Sequence, residues 1–340
     1  MQMKKSKIKQ NQITIFNKSS PVRVSLLVTH RCLYKCNHCH IWKYKNAYKR
    51  LNLKEINILL KDLSNMYGNN VEIYIGGSGM IELNKYLIPI LKISKSYGFK
   101  TILTTNAHLI NQRILKRLII DANLDTIVVS LDYLNKSKHD SQRGVSGSYD
   151  RVLRLLNYLS IYKGLVQTTI NCLIMKPNID ELVPIAYLIN SSPTISCVSY
   201  HLIARPPHSD SPENWIEDKR FSHLWPDDID KITLVFNELI KLRQKQFKIA
   251  NSVKQLQYFK QFVIDNKQFL TKKYCDSEKL GLEISHNGTV TICPQKKSIG
   301  NLKDNSLNNQ LQSQEFTDLS SEIQKCTANC HFMQNCRYSD

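Results

Sequence analysis

The chain has 340 residues, 42% of them hydrophobic and 22% charged, which supports one large domain with an appendage and excludes a disordered chain. Forty-seven Lys and Arg against 28 Asp and Glu give a formal charge of +19, but the lysines are scattered through the sequence, so no nucleic-acid partner is expected. The start MQMKKSKIKQNQ is basic without an apolar segment behind it, and no run approaches membrane-spanning length; no signal peptide and no membrane partner are expected, and a cytoplasmic location is.

Residues 1–21 carry few apolar side chains and read as a tail. From Val22 the pattern alternates strand with helix. VRVSLLVT is a β-branched run, and Leu53 to Tyr67 sets Leu53, Ile56, Leu59, Leu60 and Leu63 at helical spacing. The next strands are expected at Val71–Ile75, Lys100–Leu103, Thr126–Leu131, Val166–Met175 and Cys197–Leu202. Helices are expected between them at Leu87–Tyr97, Gln112–Asp121, Tyr149–Tyr162 and Glu181–Asn190. Such alternation implies an α/β fold, a parallel sheet with helices outside it. Prolines at 206, 207, 212 and 226 mark a loop-rich bridge, followed by amphipathic segments at Asp227–Gln246 and Val253–Phe262, expected to pack across the barrel.

Between the first strand and the first helix lies LLVTHRCLYKCNHCHIW, which sets Cys32, Cys36 and Cys39 in a C-x3-C-x2-C array. In a reducing compartment, cysteines so spaced are metal ligands rather than disulfide partners. Tetrahedral zinc takes four ligands and four-iron clusters usually take four cysteines, so a local trio reads as a cluster with one open coordination site. A zinc knuckle completed by His38 or His40, or three unrelated core thiols, are the alternatives.

The array resembles the signature of the radical S-adenosylmethionine (radical SAM) superfamily. The resemblance implies a partial (β/α)6 barrel over residues 22–212, a helical bridge at 213–270 and a small cysteine-rich domain at 271–340. It further implies that Cys32, Cys36 and Cys39 are the catalytic cluster ligands. Their [4Fe-4S] cluster would bind S-adenosylmethionine at its open iron and cleave it reductively to a 5′-deoxyadenosyl radical, with electrons from a flavodoxin or ferredoxin.

His38 stands where the family has a ring beside the adenine. Gly76-Gly77-Ser78 resembles the family's Gly-Gly-Glu-Pro loop, with Ser78 in place of the acid that meets the cofactor's amino group. Glu82, four residues on, is out of register, so the resemblance implies an amino contact through carbonyls. Thr104-Thr105-Asn106 is similar to a Thr-Asn-Gly turn, which makes Asn106 a cofactor-binding candidate. Ser130-Leu131-Asp132 and the HD-x-x-RG-x-x-GSYD stretch beginning at His139 resemble the peptide-modifying branch. Ser130, Asp132 and Arg143 are therefore also cofactor-binding candidates, with Arg143 suited to gripping a carboxylate through two parallel hydrogen bonds. His201 and Arg205, at the end of the sixth strand, are candidates for the substrate side.

The last 66 residues hold five of the ten cysteines. Asn287-Gly288 between two apolar runs predicts a hairpin that brings Cys293 to a strand end. Cys275, Cys293, Cys326, Cys330 and Cys336 resemble a SPASM/twitch extension, which implies one auxiliary [4Fe-4S] cluster with one of the final three thiols spare. A structural zinc site is the alternative reading. Cys172 and Cys197 read as buried thiols.

A radical SAM enzyme that modifies a ribosomal peptide, with the auxiliary cluster assisting electron transfer, is the leading expectation. A sugar or cyclitol dehydrogenase or epimerase, acting on a small-molecule substrate, is the alternative. A non-enzymatic iron–sulfur or zinc protein that binds RNA is the more distant one.

Overall fold

Strand β1 (Val22–Leu27) alternates buried with half-buried residues, its valines and Leu26 against helices and Arg23, Ser25 and Leu27 on the concave side. The computed structural model describes residues 22–43, 50–76, 79–206, 209–210, 214–266, 281–293 and 295–326. Helix α1 (Leu53–Tyr67) starts where the Asn52 side chain accepts from Lys54 and Glu55 while Glu55 accepts from the Asn52 N–H, a reciprocal cap that contributes about 1 kcal/mol. It buries Ile56, Leu59, Leu60 and Leu63.

The alternation continues through β2 (Val71–Ile75), α2 (Leu87–Ser96), β3 (Lys100–Thr105) and α3 (Gln112–Lys116), the last running into a π turn at Arg117–Asp121. Then come β4 (Thr126–Ser130), α4 (Lys136–Arg143), α5 (Ser148–Ser160), β5 (Gln167–Ile174), α6 (Leu182–Ser191) and β6 (Cys197–Leu202). β1 through β6 pair in parallel in sequence order. The sheet stays open, as a partial barrel does.

Beyond β6 stand α7 (Ile229–Gln244) and α8 (Val253–Ile264). They do not cross the barrel as the sequence led us to expect. α7 lies against α6 and α8, and the segment between the two helices pairs with the edge of β6, with Val198 N–H donating to Lys248 C=O at 2.8 Å and Ala250 N–H to Val198 C=O at 2.8 Å. The apolar stripe of α7 therefore covers the outer layer and the last strand's open edge.

On the opposite edge, β7 (Gly281–Ser285) pairs in parallel with β1, and β8 (Thr289–Thr291) and β9 (Gly300–Asn301) add to it antiparallel. α9 (Leu307–Leu311) and α10 (Gln314–Gln324) follow. The C-terminal hairpin thus continues the barrel's own sheet. Cys172 is fully buried on β5, and Cys197, on β6, is part-buried with its sulfur 3.6 Å from the Thr169 hydroxyl. Among the described residues no helix is long and apolar enough to cross a membrane.

Candidate active site

The carboxyl ends of β1 to β6 surround a cavity of about 360 Å³, a size typical of small-molecule sites. Cys32, Cys36 and Cys39 share its wall with His38, Glu82, Asn106, Ser130, Arg143, Asn171 and His201. The strand register explains the polar lining. Ser130, Asn171 and Ser199 are register partners across β4, β5 and β6, and Leu173 pairs with His201 two residues further on. The intervening buried residues point toward the helices.

The cysteine loop is held from two sides. On one, Met80 N–H donates to Arg31 C=O at 2.6 Å and the Asn84 side chain donates to Val28 C=O at 2.8 Å. Gly79, at φ 65°, lies so close to the carbonyls of Thr29 and Arg31 that a Cβ would sit 2.6 Å from either. On the other, Asn37 N–H donates to Gln142 C=O at 3.0 Å. Gly144 ends α4 at φ 63°, where a Cβ would come within 2.4 Å of Lys35 C=O. The loop is clamped between the turn after β2 and the end of α4.

This clamping decides the electrostatics. Burial pushes the Cys32 thiol up to about 11 and the Cys39 thiol to about 12, and Cys36 is raised as well. Cys36 adds to the rise at both Cys32 and Cys39, so the trio lies within mutual electrostatic reach. Arg143 counters this at Cys36, to which it donates a hydrogen bond. Three part-buried thiols that repel one another as thiolates suit a cationic iron cluster that displaces their protons.

The histidines do not complete a zinc knuckle. His38 meets the Gln142 amide through Nδ1 at 3.0 Å, and His40 packs on Phe221 with ring centroids 5.4 Å apart. Among the described residues no three His, Cys, Asp or Glu converge on a single ion. Ligands to separate irons of a cubane surround it and do not converge.

His38 and His201 both line the cavity and are held neutral, each lowered to about 4, burial being the main cause. His201 Nε2 meets the Ser199 hydroxyl at 3.1 Å. Arg205 is not among the residues lining the cavity.

The structure corrects the reading of Asp132. It is fully buried behind the wall, where Oδ2 stands 2.5 Å from Arg143 Nη2 and Oδ1 accepts from Leu173 N–H at 3.0 Å. Asp132 neutralises and orients Arg143 and does not face the cavity. His139, also fully buried, takes Asp132 N–H on its ring at 3.4 Å.

Gly76 does not line the cavity. A Cβ there would lie 2.8 Å from Thr104 Cβ, so it serves close packing at the ends of β2 and β3. Gly77 and Ser78 lie outside the described residues.

Glu82, set aside in sequence on its register, faces the cavity from a single 3-10 turn, Ile81–Leu83. Its Oε1 accepts from the Thr105 hydroxyl, Oε2 is buried without a hydrogen-bond partner among the described residues, and burial raises its carboxyl above the usual range. Asn171 was also missed. Its place in the register row of Ser130 was the available signal.

In the C-terminal part, Cys293 and Cys326 both act on Lys296, whose N–H donates to Cys293 C=O at 3.0 Å and whose ammonium pairs with Glu322 at 2.5 Å. β8 and the end of α10 thus bring two of the expected ligands near one lysine. Cys275, Cys330 and Cys336 lie outside the described residues.

A family profile described as the radical SAM superfamily matches residues 26–188, and one described as an iron–sulfur cluster-binding domain, SPASM, matches residues 275–337. The chain is 26% identical over 189 residues to the Fe-coproporphyrin III synthase of Methanosarcina barkeri, covering 55% of this chain and 46% of that protein. It is 26% identical over 140 residues to the antilisterial bacteriocin subtilosin biosynthesis protein AlbA of Bacillus subtilis, covering 41% of this chain and 31% of that protein. The aligned stretches span less than half of either relative. Among solved structures, SuiB of Streptococcus suis bound to its precursor peptide SuiA superposes with a TM-score of 0.65 at 17% identity, over 94% of this chain and 71% of that one, a likeness of fold.

Proposed function

The chain is a member of the radical SAM superfamily joined to a SPASM iron–sulfur cluster-binding domain, and on that premise we propose that it modifies a ribosomally made peptide by hydrogen abstraction. The observation that carries the reading is the single cavity in which Cys32, Cys36 and Cys39 meet a charged and polar wall at the carboxyl ends of the parallel strands.

Cys32, Cys36 and Cys39 would hold the [4Fe-4S] cluster. When bound, the cluster and S-adenosylmethionine together supply an electron and a 5′-deoxyadenosyl radical. Arg143, its charge fixed by Asp132, offers the carboxylate end of the cofactor a guanidinium. His38, neutral and oriented by Gln142, gives the adenine a flat uncharged neighbour. Asn106 and Ser130 offer hydrogen bonds to the remainder. His201, neutral and partnered by Ser199, meets the substrate without adding charge. The buried Met80 and Ile81 add apolar wall to the cavity beside the clamped cysteine loop.

Cys275, Cys293 and two of Cys326, Cys330 and Cys336 would hold one auxiliary [4Fe-4S] cluster, which would supply an electron acceptor. A flavodoxin or ferredoxin in the cytoplasm would supply the priming electron.

The peptide reading is supported by the HD-x-x-RG-x-x-GSYD stretch and by the likeness to AlbA and SuiB. A porphyrin substrate is the second reading, favoured by the likeness to Fe-coproporphyrin III synthase.

The test is to incubate the anaerobically reconstituted protein, reductant and S-adenosylmethionine with a short peptide encoded beside its gene, and in parallel with Fe-coproporphyrin III. A mass change confined to the peptide is expected. Turnover of the porphyrin alone would contradict the peptide reading.

A further inference from the structure

Strand β7 lies between β1, which leads into the first cysteine trio, and β8, which is followed by Cys293. The ladder carries one face of the sheet across these strands. Glu283 pairs with Ser25, Ser25 with Tyr74 and Tyr74 with Ile102. Two residues further along β3, Thr104 pairs with Val128 and Val128 with Thr169, and Leu173 on β5 pairs with His201. Since side chains alternate between faces, Glu283 shares the concave face with Thr104, Asn171 and His201, which line the cavity. It stands two residues before the end of β7, as His201 stands one before the end of β6.

Two carboxylates stand on this face of the described strands. Glu72, toward the amino end, is answered by Arg23 at 3.2 Å and Lys100 at 3.3 Å. Glu283 is withdrawn from water far enough for burial alone to raise its carboxyl above the usual range, and among the described residues it meets no hydrogen-bond donor and no ion-pair partner. The residue is only half-buried, so a ligand lying on the concave face can reach it.

A carboxylate so placed is costly until a donor arrives, and a cation answers both its charge and its lone pairs. Glu283 is not among the residues lining the cavity that would take the cofactor, so the cation belongs to a second ligand lying between the cysteine loop and Cys293. A chain of net charge +19 repels cations in general, which makes an isolated carboxylate selective for one at a single place. Among peptide side chains, lysine and arginine carry a permanent cation with N–H donors.

We infer that Glu283 is the acceptor for a lysine or arginine side chain of the peptide substrate, a specificity residue that the C-terminal hairpin supplies to the concave face. The inference rests on the peptide reading of the site.

The test is a binding cycle on the reconstituted protein without reductant, in which no turnover occurs. Dissociation constants are measured for the peptide encoded beside the gene and for copies in which each lysine or arginine in turn is replaced by norleucine, against wild type and Glu283→Gln. Iron content and the denaturant midpoint of the ligand-free proteins are the controls.

One replacement should weaken binding to wild type about 10- to 100-fold, the range of a hydrogen bond to a charged group. Glu283→Gln should bind that copy and the parent peptide within about 2-fold of each other. Its midpoint should equal or exceed that of wild type, since no partner within the protein is lost. A lowered midpoint would overturn the inference by showing that Glu283 serves the fold. If wild type binds the parent and every copy alike, or the peptide carries neither lysine nor arginine, the Glu283 assignment fails while the peptide reading stands. If wild type does not bind the peptide, the peptide reading itself fails.

Discussion

At the scale of single residues the buried Asp132–Arg143 pair matters most to the integrity of the site. Both side chains are withdrawn from water, and Arg143 also donates to Cys36. Removing one partner strands the other charge, which costs about 3–5 kcal/mol where both are buried. Asp132→Ala should therefore lower unfolding stability by about 3 kcal/mol and reduce cluster retention, measured by denaturant titration and iron content. Stability within about 0.5 kcal/mol of wild type would show that Arg143 needs no counter-charge.

His139 and His201 make stability depend on pH in a definite direction. Burial lowers each from 6.5 to about 4 in the folded chain, so between those values the unfolded chain binds more protons. Their contribution is whole above about pH 6.5 and is lost as pH falls toward 4, on the order of 1 kcal/mol per histidine by pH 5.5. Asp125, whose carboxyl is lowered by Lys95 and Thr101 against the cost of burial, loses its share only at more acid pH. Denaturant midpoints from pH 7.5 to 5 should fall for wild type and fall less for His201→Gln. Equal slopes would mean that His201 is not held neutral.

At the scale of elements, the turn after β3 contains its own test. Ala107 adopts φ 67°, the left-handed region that favours glycine, and its N–H is held by the Thr105 hydroxyl at 2.9 Å. An L residue in that conformation costs on the order of 1–2 kcal/mol, less what glycine loses on folding. Ala107→Gly should raise stability by about 0.5–1 kcal/mol, measured by denaturant titration. A loss of stability would show that the Ala methyl packs better than its backbone is strained.

Strands and helices with strong periodicity were legible in the sequence. α1 and β6 fall at the residues expected, because their apolar spacing leaves one burial solution. α4 was not legible. KSKHDSQR has no apolar stripe, and the face it buries is His139, Gln142 and Arg143, polar groups whose partners lie on the cysteine loop, Asp132 and Met175. The cysteine trio was legible because ligand spacing is a local property. Glu82 was not, since four residues of a tight turn reach the cavity by a path that motif register does not describe. α10 carries Phe316, Leu319 and Ile323 at helical spacing and was there to be read.

At the scale of the whole molecule, the parallel pairing of β7 with β1 makes one sheet of two matched domains, 26–188 and 275–337. No local pattern announces a pairing between segments more than 250 residues apart in the chain, Arg23 with Gly281. One consequence is that β1, which leads into the cysteine loop, has a neighbour on each side, so the C-terminal hairpin supports the loop's backbone.

The central claim is that Cys32, Cys36 and Cys39 hold one cluster whose open iron takes S-adenosylmethionine. The most direct measurement is electron paramagnetic resonance of the reduced cluster with and without S-adenosylmethionine, in a variant whose five C-terminal cysteines are replaced so that only the first trio can bind iron. The account predicts a reduced four-iron signal that shifts on adding S-adenosylmethionine and is absent when Cys36→Ala is added. A signal that ignores S-adenosylmethionine, or one that survives Cys36→Ala, would contradict it.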